Sequence, residues 1–176
     1  GGAINCNNSD LEIRGGNVYN NSSYAGGAIF VDSLSTCSVD DVYFNNNGAN
    51  RGGAIATFRG GRLAVHGSDF YQNSANGFEE NVDPNFPTYA GGGAIYQEFA
   101  DTLEISNTNF SNNSATAGPG GAMALYHGSE VLFDTIVIRN NSSTGGGGGL
   151  CLLRPENVIF NHGVIMDNRS DWNSGG

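Results

Sequence analysis

Gly26-Gly27-Ala28-Ile29 decides the fold, because it recurs with a partner at a fixed distance. Gly52-Gly53-Ala54-Ile55, Gly92-Gly93-Ala94-Ile95 and Gly120-Gly121-Ala122-Met123 repeat it closely, and Gly1 to Ile4 and Gly147 to Leu150 are looser copies. Each copy is answered downstream by an apolar residue and, three positions later, an Asn. These pairs are Val18/Asn21, Phe44/Asn47, Phe70/Asn73, Phe110/Asn113, Ile138/Asn141 and Ile165/Asn168. The interval from the fourth residue of a copy to its Asn is 18 in five copies and 17 in the first. Six copies in one register are an internal repeat, and a repeat of this length implies units that stack.

Within a repeat, apolar residues alternate with polar ones. Leu11 and Ile13, Cys37 and Val39, Leu63 and Val65, Leu103 and Ile105, Val131 and Phe133, Val158 and Phe160 are each separated by one residue. That is the period of a strand with one buried face. Three short strands are expected per repeat, covering positions 3–7, 11–15 and 17–20 counted from the first Gly. A single such unit cannot bury its apolar side; stacking units about 4.8 Å apart does so. The expectation is an all-β parallel β-helix of about six coils starting near residues 1, 26, 52, 92, 120 and 147. Like residues then form columns. Asn21, Asn47, Asn73, Asn113, Asn141 and Asn168 are expected to form an internal ladder, their amides bonding along the axis and to turn carbonyls.

Between Asn and the next Gly-Gly the spacing is short except at 74–91, which reads as an inserted loop. Its Phe78, Glu79, Glu80, Asp83, Phe86 and Tyr89 are the candidate contact residues, since long loops on rigid scaffolds carry function. Glu79, Glu80 and Asp83 also offer the oxygen ligands Ca²⁺ requires; otherwise no cofactor or metal is expected. Because both termini cut the repeat in phase, the sequence reads as an excerpt of a longer array, or as a subunit that stacks end to end on copies of itself.

The chain has 176 residues, 17 acids against seven bases, and a formal charge of -10; all the bases are Arg. Such a balance opposes nucleic-acid binding. No apolar run reaches the roughly 18 residues of a membrane span. The three cysteines, Cys6, Cys37 and Cys151, form no metal motif.

The pairing of Gly26 to Ile29 with Phe44 to Asn47, of Gly52 to Ile55 with Phe70 to Asn73, and of Gly92 to Ile95 with Phe110 to Asn113 resembles the repeat of the chlamydial polymorphic membrane proteins. The last two copies depart from it by placing Ile where Phe stands. The resemblance implies a right-handed parallel β-helix in a surface-exposed adhesin or passenger domain.

Parallel β-helices also carry polysaccharide-cleaving enzymes of the pectin lyase and polygalacturonase type, which need convergent carboxylates. Asp40-Asp41 beside His66-Gly67, one coil on, is the nearest such group, but these are turn positions where Asp and Gly are expected anyway. His127 and His162 read as exposed turn residues. Catalytic residues are therefore not assigned. Asn-x-Ser/Thr sequons are numerous. Asn7, Asn20, Asn109, Asn112 and Asn140 are expected outside and open to glycosylation; Asn21, Asn141 and Asn168 are expected in the ladder. The function expected is a structural or adhesive segment, extracellular or at the cell surface. Its partners are further coils, a host surface or carbohydrate.

Overall fold

The computed structural model describes residues 1–77 and 90–171. Three parallel sheets wind about one axis through six coils, and no helix occurs among the described residues. The first sheet is Ile4–Asn7, Ile29–Asp32, Ile55–Phe58, Ile95–Glu98, Met123–Tyr126 and Leu150–Leu153, in chain order. The second holds the long strands Asp10–Tyr19, Thr36–Asn45, Glu130–Arg139 and Asn157–Met166, with paired shorter strands in the two middle coils. The third is narrow: Gly48–Ala49, Ser74–Ala75, Ser114–Ala115, Ser142–Ser143 and Arg169–Ser170.

This parallel β-helix is the architecture expected from the repeat, but its strands divide differently. The segments read as second and third strands lie in one sheet, and the third sheet follows the ladder Asn instead. A hydroxyl decides where the long strand breaks. Ser68 Oγ donates to the His66 carbonyl (2.9 Å), and Thr108 Oγ1 to that of Ser106 (2.7 Å). These local bonds compete with a continuous ladder. In the coils where Val42 and Ile136 stand at this point, the strand runs through. Ser74–Ala75 pairs with both neighbouring coils, so the start of the interval read as an insertion belongs to the coil itself.

Register is kept throughout. Ile4, Ile29, Ile55, Ile95, Met123 and Leu150 are successive partners. So are Leu11, Cys37, Leu63, Leu103, Val131 and Val158. Asp69–Tyr71 pairs with Asn109–Ser111 across the long interval, with Phe70 opposite Phe110. Phe44, Phe70 and Phe110 stack face to face with centroids 4.7 and 4.8 Å apart. These columns form one core that runs the length of the solenoid.

A second, smaller cluster lies on the outer face of the first sheet. Phe30, Phe58, Tyr96 and Tyr126 zigzag along the axis, each ring centroid 5.4 Å from the next. Ala56 and Ala124 leave room beside the rings. Tyr96 donates to Glu98 (2.9 Å) and lies 5.8 Å from the Arg51 guanidinium. Burial, and then Glu98, push its phenol well above the usual range.

Besides the first Gly of each Gly-Gly pair from Gly26 onward, each coil places residues at positive φ at three further corners. At the bend of the second sheet these are Gly15 and Gly16, Asp41, Gly67, Asn107, Thr135 and His162. Before the ladder they are Asn20, Asn46, Gln72, Asn112, Asn140 and Asp167. After the first sheet they are Asn8, Leu34, Arg59, Phe99, His127 and Arg154. Gly, Asn and Asp adopt this conformation readily, whereas other L residues lose about 1–2 kcal/mol each.

Candidate functional site

The Asn column is the most densely bonded group of polar side chains among the described residues. Asn73 is fully buried. Its Oδ1 accepts from the backbone N–H and from Nδ2 of Asn47, both at 3.0 Å. Its Nδ2 donates to Asn113 Oδ1 (3.0 Å) and to the carbonyl of Phe44 (3.1 Å). Asn47, Asn113 and Asn141 repeat the arrangement, Asn168 closes it onto Ile138, and Asn21 begins it. Each internal amide thus uses both lone pairs and both protons. The Phe carbonyls it caps would otherwise sit unpaired at a corner.

Just before each ladder Asn the chain turns through a positive-φ residue, which directs that side chain away from the core. Asn20, Asn112 and Asn140 occupy this position and are exposed, as are Asn7 and Asn109. Asn109 Nδ2 donates to Asp69 Oδ1 at 2.8 Å. Asn21 and Asn168 are half-buried and Asn141 is buried.

At the bend of the second sheet, Asp40, His66, Ser106 and Asp134 are successive partners. His66 Nδ1 lies 2.9 Å from Ser106 Oγ. Asp40 accepts a hydrogen bond from Ser38 Oγ at 3.3 Å, and His162 Nδ1 faces Asp134 Oδ1 at 3.2 Å. Asp41, His66 and His162 are exposed. Three backbone N–H groups beside this line are committed: Gly67 to Ser106, Asn107 to Asp134, and Ser68 to the Thr108 hydroxyl.

Among the described residues no three His, Cys, Asp or Glu side chains are placed to hold a metal. The contact candidates Phe78, Glu79, Glu80, Asp83, Phe86 and Tyr89, including the carboxylates considered for Ca²⁺, lie outside the described residues. Cys6 and Cys37 are buried free thiols and Cys151 is partly buried. Burial, reinforced by Cys6, pushes the Cys37 thiol up to about 12.

Two features escaped the sequence reading. One is the outer aromatic zigzag, whose signal was Phe or Tyr alternating between the fifth and seventh positions of successive repeats. The other is the corner after the first sheet, where Phe99 and His127 stack with centroids 4.7 Å apart.

The fold defines the molecule as a parallel β-solenoid whose coils are joined by an Asn ladder. A family model described as the Chlamydia polymorphic membrane protein repeat matches residues 41–57 and 135–152. Each match contains an apolar residue, its ladder Asn and the Gly-Gly of the next coil, so the similarity falls on the residues that make the corner. The second match spans a copy with Ile138 in place of Phe. That repeat is one of surface-associated outer-membrane proteins. No curated protein and no solved structure matches the chain.

Proposed function

We propose that this chain is a non-enzymatic segment of an extracellular or cell-surface β-helix, serving as a rigid structural or adhesive scaffold. One observation carries the reading. The columns and the Asn ladder stay in register through all six coils. The similarity to a surface-protein repeat supports the same reading. Leu152, Phe160 and Ile165 on the sixth coil are 39, 40 and 53% exposed, a face suited to stacking against a further coil or another copy of the chain.

Catalysis is tested by incubating the protein with acidic polysaccharides, with and without Ca²⁺, and following chain cleavage. No turnover is expected. Turnover that disappears in an Asp40→Ala variant would overturn the scaffold reading in favour of a polysaccharide-cleaving β-helix. We also propose that the outer face carries N-linked glycans. Glycopeptide mass spectrometry of native material is expected to find hexose-bearing peptides at Asn112 or Asn140 and none at Asn141. Bare peptides at all five exposed sequons would remove the glycan coat from the proposal.

A further inference from the structure

The left-handed corners of each coil present an internal comparison. The Gly-Gly pair, the bend and the pre-ladder corner are built largely from Gly, Asn and Asp. The corner after the first sheet instead holds Arg59, Phe99, His127 and Arg154 at one register position of the last four coils, all at positive φ. The turn does not demand these side chains, because the pre-ladder corner makes the same left-handed step with Asn. Bulky residues held in this conformation point to a use for the side chains themselves.

What they form is a ridge along the axis. Phe99 is 56% exposed and stacks on His127 with an interplanar angle of 8°. Arg59 and Arg154 hold the rungs before and after this pair and are exposed. At about 4.8 Å per coil, they stand about 14 Å apart. Rings stacked along the axis turn their edges to solvent, and the edge is the positive side of an aromatic quadrupole.

The charges agree with this. Arg14, Arg51, Arg62 and Arg169 each face a carboxylate. Among the described residues Arg59, Arg139 and Arg154 have no ion-pair partner, and Arg59 and Arg154 share the ridge while Arg139 stands on another face. Of the acids close to the ridge in sequence, Glu98 is engaged by Tyr96 and Arg51 and Asp101 by Arg62, while Glu156 is exposed two residues after Arg154. On a chain of formal charge -10, this corner is a line of outward N–H donors and ring edges. We propose that the ridge of Arg59, Phe99, His127 and Arg154 binds a linear anionic polysaccharide, carboxylated or sulfated, laid along the solenoid axis. A one-residue-wide line suits an extended polymer rather than a folded partner. Bidentate guanidinium contacts suit its carboxylate or sulfate groups.

The inference rests on the non-enzymatic surface reading and adds a ligand class to it. Retention on immobilised polygalacturonate and heparin is compared with neutral dextran and with poly-glutamate. The proteins are the wild type, an Arg59→Gln/Arg154→Gln double variant, Phe99→Asn, and Arg139→Gln as an exposed-Arg control on another face. The expected result is binding to an acidic polysaccharide, weakened at least tenfold in the double variant and unchanged in Arg139→Gln. Phe99→Asn is expected to weaken binding while raising Tm, since Asn relaxes the turn; a structural role alone would leave binding unmoved. No retention by either polysaccharide, equal retention of the double variant, or binding to poly-glutamate alone would overturn the assignment, the last in favour of an acidic peptide. Soluble cleavage products from the bound polysaccharide would overturn the scaffold reading instead, while the comparison of variants still measures the ridge.

Discussion

Replacing Asn73 with Ala is expected to lower unfolding free energy by about 3 kcal/mol or more, because three buried groups lose their partner at once and each orphaned group costs about 1–3 kcal/mol. The Asn47 backbone N–H and Nδ2 both donate to Asn73 Oδ1, and the Phe44 carbonyl accepts from Asn73 Nδ2. Asn113 Oδ1 is less affected, since the backbone N–H of residue 73 still reaches it at 2.9 Å. Asn21→Ala is the comparison. Asn21 is half-buried, and no ladder amide donates to its side chain. Its loss leaves only the acceptor of Asn47 short, and a cost of about 1 kcal/mol is expected. Urea denaturation followed by circular dichroism measures both. Equal losses for the two variants would mean that the ladder contributes bonding no stronger inside the solenoid than at its margin.

The ladder was legible in the sequence because its spacing survives every local irregularity. From Asn47 to Asn73 the chain travels one ordinary coil. From Asn73 to Asn113 it crosses the longest interval between ladder positions, yet the same two hydrogen bonds form. The Ile, Leu/Val and Phe columns were legible for the same reason, since each holds one kind of side chain facing one environment. The break at Ser68 and Thr108 was not. It depends on a hydroxyl turning back to its own chain, which hydropathy patterning does not register. The outer features were harder still. Phe58, Tyr96 and Tyr126 look like unrelated outward residues until the coils are superposed, and only then do the rings fall 5.4 Å apart. Likewise Phe99 and His127 carry no shared residue type; what unites them is a backbone angle. The bend was misleading in the other direction. Asp40 and His66 are neighbours in register, as the spacing suggested, but His66 turns its Nδ1 to Ser106 rather than to a carboxylate.

The second large effect is expected at the glycine pairs, and it separates close approach from ordinary turn chemistry. A Cβ on Gly93 would meet the backbone N and O of Ser114, each at 2.7 Å, and would lie closer still to the Gly121 carbonyl. The Gly121 carbonyl is a rigid atom of the next coil, held by the interstrand bonds from Gly93 to Gly120 and from Ala94 to Ala122, while Ser114 is backbone of the same coil's third-sheet strand, bonded to the Asn73 carbonyl. Relief therefore requires the coils to separate, which breaks those bonds and opens the Ile95 and Met123 column beneath them. Gly93→Ala is expected to cost several kcal/mol, at the upper end of single substitutions, or to leave no folded protein. Gly48 offers the control within the same corner. Its backbone does not require a positive φ, and the nearest atom to an added Cβ is the Ser74 hydroxyl oxygen at 3.5 Å. Gly48→Ala restricts the unfolded chain without a clash, so it is expected to be neutral or to stabilise by up to about 1 kcal/mol. Thermal denaturation of the two variants gives opposite signs if contact between coils is what excludes a side chain. A Gly93→Ala protein that unfolds at the wild-type temperature would mean that the coils are free to part at this corner, and that the recurrence of Gly-Gly serves the turn alone.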